Sequence, residues 1–217
     1  MSSESLTIFS QKLAERERKR AVSESREVSL LIIYTGGTFG MDSDSAGLLS
    51  IKNTGSLFEK MRKLRGFCAG EPDASGLMTS EPFDGCVVRS RVLQFEKLID
   101  SSDSNPEFLI LVLKTLEENY SLYDSFLIIH GTDTMEYTAS ALSFMIKRLT
   151  KPIFVTGSQI PLSNVINDAY SNLQGCFRIV GGLTSSTPHP RGVSLLQQAA
   201  DARQHLHEDR LKQVQRV

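Results

Sequence analysis

The feature that most constrains this fold is a repeated pairing of a short apolar run with a longer helix-like segment. The runs LLIIY (Leu30–Tyr34), SFLII (Ser125–Ile129) and PIFV (Pro152–Val155) are each too short to be a buried helix. Each stops at a Gly-containing turn. Between and after them come PEFLILVLKTLEENY (Pro106–Tyr120), the stretch from Asp133 to Thr150, and DAYSNLQGCFRIV (Asp168–Val180). From Thr134 onward, Met135, Ala139, Leu142, Met145, Ile146 and Leu149 recur at helical spacing. CVVRSRVL (Cys86–Leu93) reads as a further strand. Apolar strands alternating with amphipathic helices predict βαβ units: an α/β fold of three layers, a mostly parallel sheet flanked by helices. With 217 residues the chain can bury one substantial core.

In open α/β sheets ligands bind beyond the carboxyl ends of the strands. That rule gathers three sequence-distant turns onto one edge: YTGGTFG after the first run, HGTDT after the second and TGSQIP after the third. All three combine glycine with hydroxyl, amide or carboxylate groups, as a small-molecule site requires. A phosphate loop would need a lysine beside its glycines, and a dinucleotide fingerprint would need GxGxxG; neither is present. Taken alone, TGGTFG is either a structural turn or a device in which Gly36 and Gly37 remove side-chain bulk and expose Thr38 for nucleophilic chemistry. A threonine hydroxyl is a poor nucleophile without a base or relay. HGTDT offers Thr132 and Asp133 for that purpose, although Asp133 is equally suited to cap the helix that follows. His130 reads as a strand-end residue rather than a base.

Four motifs in order, YTGGTFGM, DSSDSNPEF, HGTDTMEYTASALSFMI and KPIFVTGSQIPL, make the segment from Leu30 to Val180 resemble the bacterial-type L-asparaginase family, nearest its cytosolic type I branch. The resemblance implies a large N-terminal α/β domain, a smaller C-terminal one, oligomers built from dimers, a cytoplasmic location and neither metal nor cofactor. It implies hydrolysis of the side-chain amide of L-asparagine, with Thr38 as nucleophile and Thr132 and Asp133 as the second hydroxyl and carboxylate of a relay that includes a lysine. Asp100, Ser101 and Ser102 fall on the family's substrate-binding turn. Many members carry a tyrosine on a flap after the first turn, where this chain has Leu48.

On these grounds the chain divides into a polar extension over 1–27, an asparaginase-like domain over 28–182 and a tail over 183–217 that departs from the family. The family pattern expects a further strand and then a segment like FFNNxLxRGNxxTK, whose lysine completes the relay. The tail instead reads PHPRGVSLLQQAADARQHLHEDRLKQVQRV, and from Gln197 onward it resembles a charged helix with no core face. Back-translated with codons chosen to suit, and read one nucleotide later, the tail yields a segment containing RGN and TK; transcript sequencing checks this expected frame shift. Without that lysine, and with Lys151 and Lys212 as the nearest substitutes, little or no turnover is expected. The competing readings are an inactive asparagine- or aspartate-binding remnant, or a partner subunit of an intact enzyme. A nucleotide-binding domain is a distant third.

Composition adds exclusions. A formal net charge of −1 favours neither nucleic acid nor an anionic membrane. No apolar run approaches membrane-spanning length, and the first ten residues lack a signal-type apolar stretch. Cys68, Cys86 and Cys176 are odd in number and widely spaced, as expected of reduced thiols.

Overall fold

The computed structural model describes residues 26–43, 49–83, 85–147, 149–183 and 193–196. Most of the N-terminal extension, Leu48 and the tail from 197, Lys212 included, lie outside the described residues. The strands are β1 (Arg26–Gly36), β2 (Met41–Ser43), β3 (Leu49–Thr54), β4 (Met78–Thr79), β5 (Cys86–Ile99), β6 (Ser125–Ile129), β7 (Ile153–Thr156) and β8 (Val193–Leu196). The helices are α1 (Leu57–Met61), α2 (Pro106–Asn119), α3 (Met135–Met145) and α4 (Asp168–Leu183). Short 3-10 turns at Thr38–Gly40 and Ser101–Asp103 follow β1 and β5.

Period-two burial builds the three layers. Along β1, Val28, Leu30, Ile32 and Tyr34 enter one core, while Leu31 and Ile33 enter the other. On β6, Leu127 and Ile129 share the first core, and Phe126 and Ile128 the second. Strands this apolar on both faces belong inside a parallel sheet covered twice. The sheet order is β4-β5-β1-β6-β7-β8, with β5, β1, β6, β7 and β8 parallel and only β4 antiparallel, at the edge. The first core holds α1 and α4, and the second α2 and α3.

Local chemistry sets the helix ends. Asn105 Oδ1 accepts from the Phe108 amide ahead of α2, whose first residue, Pro106, has no amide to leave unpaired. Ser56 caps α1 through the Glu59 amide, a capping pattern legible in SLFE. Helix α3 is shorter than its periodicity predicts. The chain leaves helical geometry at Ile146, and Ile146 and Leu149 pack back against the second core instead of prolonging the helix.

One connection breaks the usual handedness. The passages β1–α1–β5, β5–α2–β6 and β6–α3–β7 share one hand, given their directions along the sheet and the faces their helices cover. The passage β7–α4–β8 advances in the same direction as β6–α3–β7 but places its helix on the opposite face. Parallel crossovers are overwhelmingly right-handed, so this one is left-handed. Burial compensates: Ala169, Leu173, Cys176, Phe177 and Val180 cover a face that five-residue α1 could not cover alone. The tail is read from sequence as holding no further strand, and the structure corrects this: β8 forms there and pairs with β7 from Val193 to Leu196.

Two outcomes follow. Phe177 is fully buried and meets Phe67 edge-on at 4.8 Å between ring centroids. Phe177→Ala should therefore cost about 3–5 kcal/mol, read as a fall in the urea midpoint. His130 is buried at the end of β6, its Nδ1 2.6 Å from the Gly131 carbonyl and its Nε2 3.1 Å from Thr138 Oγ1 on α3. The carbonyl fixes the proton on Nδ1, so Nε2 accepts from the threonine. Burial holds His130 below the ordinary 6.5. As pH falls through the unfolded value, the unfolded chain takes up a proton that the folded chain refuses. His130's contribution is thus complete above about pH 6.5 and declines below it, by at most about 1.4 kcal/mol per pH unit. Urea midpoints from pH 7.5 to 5 should fall more steeply for the native chain than for His130→Asn.

Candidate active site

The strand order places a topological switch point beside β1. The chain leaves β1 toward β5, then returns to β6 on the other side of β1. Connections therefore diverge at the carboxyl ends of β1 and β6, where an open α/β sheet offers its crevice. The turns YTGGTFG and HGTDT meet there.

Their meeting is a contact between two glycine backbones. Gly37 has φ of 79°, a left-handed conformation that glycine adopts without penalty. A Cβ on Gly37 would lie 2.5 Å from Gly131 Cα, and a Cβ on Gly131 would lie 2.5 Å from Ser101 Oγ. Neither position has space for a side chain. The residues after these glycines, Thr38 and Thr132, consequently leave two touching backbones, one peptide unit from the contact in each case. The Gly37 amide donates to the Ile99 carbonyl at 3.2 Å, which ties the first turn to the end of β5. The Gly37 carbonyl accepts from Tyr34 OH at 3.2 Å. Burial pushes Tyr34 up to about 12, so it stays protonated as that donor.

The third turn closes over the first two because the left-handed connection carries it there. Leu162 N donates to the Phe39 carbonyl at 3.0 Å, and Ser163 Oγ to the Met41 carbonyl at 3.2 Å. Buried Asp168, at the start of α4, accepts from the amides of Gln159 (2.9 Å) and Ile160 (2.8 Å). Gln159 Nε2 in turn donates to Thr132 Oγ1 at 3.0 Å. Ser158 is buried, and its hydroxyl has no partner among the described residues.

The candidates read from the sequence therefore differ in what they are free to do. Thr38 is half-buried, and its hydroxyl makes no hydrogen bond among the described residues. Thr132 is half-buried and held by Gln159. Asp133 is exposed and does not cap α3; the cap position is Thr134, and no side chain bonds there. Ser101 is buried as a brace, its Oγ accepting from Asp133 N at 3.2 Å and its carbonyl from Thr134 Oγ1 at 2.7 Å. Asp100 and Ser102 are exposed at the rim, the carboxylate accepting from Ser102 N at 3.1 Å and Oγ at 3.0 Å. Lys151 is remote from the relay. It precedes β7 at the opposite edge of the sheet, and its ammonium is bound by the Tyr120 and Tyr123 carbonyls. Gln159 and Asp168 escaped the sequence reading. The signal for Asp168 was an acidic residue opening a helix just after a conspicuous turn.

Comparison with known proteins gives this arrangement a lineage. A family model described as asparaginase, N-terminal, matches residues 29–198, which includes β8 and runs past the boundary at 182 expected from the motifs. "L-asparaginase 1" of Escherichia coli K12 is 38% identical over 146 residues, covering 67% of this chain and 38% of that protein. The "60 kDa lysophospholipase" of Mus musculus is 36% identical over 168 residues, covering 75% of this chain and 29% of that protein. Among solved structures, L-asparaginase I from Vibrio cholerae aligns with a TM-score of 0.59 at 31% identity, over 78% of this chain and 44% of that one. This chain thus spans less than half the length of these relatives. With the family match covering most of its length and the three motif-bearing turns on one sheet edge, the chain belongs to the asparaginase family.

Proposed function

We propose that the switch-point crevice is an amidohydrolase site that acts on L-asparagine through Thr38. The observation that supports this reading is the Gly37–Gly131 contact: Thr38, whose hydroxyl has no partner among the described residues, leaves one of the two touching turns, and Thr132 and Asp133 leave the other. A carboxylate at the N-terminal end of α3 is also where a helix stabilises negative charge.

The chemistry assigned to these groups runs as follows. Thr38 Oγ1 forms a bond to the side-chain amide carbon, and its proton passes to the departing nitrogen through the Thr132–Asp133 pair. The carbon–nitrogen bond breaks and ammonia leaves a β-aspartyl ester on Thr38. Water then adds to that ester and releases L-aspartate with the hydroxyl restored. Backbone donors of the turns stabilise the oxyanion of each tetrahedral intermediate. The reading assigns Asp100 and Ser102, both exposed on the turn after β5, to the charged α-groups of an amino acid. The same reading assigns the chain a cytoplasmic setting, a small-molecule substrate and self-association. Among the described residues no helix is long and apolar enough to cross a membrane.

The relatives bear different names, so identity alone does not choose the substrate, and an assay must. With the tail lacking the family's relay lysine, the purified 217-residue chain should release ammonia from L-asparagine slowly or not at all, and Thr38→Ala should abolish whatever release there is. Thermal stabilisation by asparagine with no ammonia released would replace catalysis by binding alone. The absence of both stabilisation and release would overturn the reading.

A further inference from the structure

We propose that the cavity between the C-terminal ends of α2 and α3 binds an unbranched aliphatic carboxylate. It lies at the sheet edge opposite the crevice, where Lys151 precedes β7, so it neither uses nor depends on the amide chemistry.

The cavity follows from where α3 stops. The chain leaves helical geometry at Ile146, while α2 runs on to Asn119. A space of about 650 Å³ is left beside them, within the range of small-molecule sites and several times a cavity that holds benzene. Its wall is hydrocarbon: Leu113 and Leu116 of α2, Ile153 of β7, and Met145 and Ile146 where α3 ends. Leu116 and Ile153 are buried members of the second core, so that side of the wall is fixed. Met145 is nearly half exposed and unbranched, so it can adjust to an occupant. A wall of this kind recognises an alkyl chain by taking it out of water.

The charges in the lining select the head group. The Lys151 ammonium donates to the Tyr120 and Tyr123 carbonyls and sits 5.1 Å from the centroid of the Tyr120 ring. Those two bonds fix its position and leave its third proton for an acceptor. They also offset carbonyl charge at the end of α2 that would otherwise repel an anion. Exposed Lys147 adds a second ammonium, which pairs with no carboxylate among the described residues. Against these two cations the lining sets one carboxylate, Glu117. A carboxylate on an alkyl chain therefore matches both parts of the cavity. An alkylammonium would face two like charges, and an alcohol would offer Lys151 a weaker acceptor.

Titration calorimetry of the full 217-residue chain with hexanoate, octanoate and decanoate tests this, with thermal unfolding as a check on each variant. Binding should be saturable and should strengthen by up to about fourfold with each methylene. 1-Octanol and octyltrimethylammonium should bind at least about tenfold more weakly than octanoate. Met145→Trp should fill the cavity and abolish binding with its melting temperature unchanged. Leu113→Phe fills the same space from α2 and should give the same loss. Lys147→Glu, at an exposed site, should weaken binding by about threefold or more. Asparagine should not displace decanoate. A chain that binds no decanoate saturably overturns the proposal, as does octanol binding as tightly as octanoate. Binding that survives both cavity-filling variants, or that asparagine displaces, lies elsewhere and overturns it too. None of these readouts uses turnover, so failure of the amide-hydrolysis reading leaves the outcome legible.

Discussion

Two glycine backbones in contact determine where everything at this site can be. Gly37 and Gly131 open the turns after β1 and β6, and a Cβ on either would fall 2.5 Å from an existing atom. Because β1 and β6 are neighbours in the sheet, the contact also fixes how far their turns can splay. A methyl group on Gly37 would push apart the turns that carry Thr38 and Thr132, and one on Gly131 would meet Ser101 of the turn after β5. In the proposed reaction that displacement matters, because a nucleophile and its relay must keep hydrogen-bond reach. The glycines of TGGTFG therefore matter less as a cradle for an anion than as the absence of two side chains.

The left-handed connection solves a second problem at the same place. A right-handed passage from β7 to β8 would have run over the face occupied by α2 and α3, and its turn would have left the crevice open. Crossing to the other face instead brings residues 157–167 over the first turn, where they bond to Phe39 and Met41. Asp168 sits where the two demands coincide: it opens α4, whose burial stabilises the reversed connection, and its carboxylate holds the Gln159 amide so that the side chain reaches Thr132. Packing energy spent far from the crevice thus secures the orientation of a group inside it.

This division explains what could be read from residues alone. The strands ending at Tyr34 and Ile129 were legible because both faces of a central parallel strand are apolar, and α2 because Asn105 and Pro106 announce it. The three turns were legible because each follows an apolar strand and combines glycine with hydroxyl, amide or carboxylate groups at one sheet edge. What was not legible depends on distant partners. No local signal in Gln159 shows that it turns toward Thr132. β8 escaped because Val193–Leu196 is a four-residue edge strand among polar neighbours, and pairing with β7 rather than periodicity makes it a strand. Asp133 suited a helix cap as well as a relay, because Asp often caps helices. Ser101 from the neighbouring turn meets its amide instead, so the carboxylate is not drawn into capping.

That last substitution has a wider form. Around the crevice most polar side chains are already committed to backbone: Thr35 to the Ile129 carbonyl, Ser101 to the Asp133 amide, Thr134 to the Ser101 carbonyl, Asp100 to its own turn and Asp168 to the third turn. His130 is engaged on both nitrogens and kept neutral by burial, which removes it as a base. Such commitments are what buried or turn-forming polar groups require, and each takes a group out of contention for chemistry. At the centre Thr38 and Asp133 stay uncommitted among the described residues, with Thr132 held by a flexible amide that a substrate can replace. A fold that satisfies so many neighbours, yet leaves a hydroxyl and a carboxylate without partners among the described residues on touching turns, supports the amidohydrolase reading proposed for this crevice.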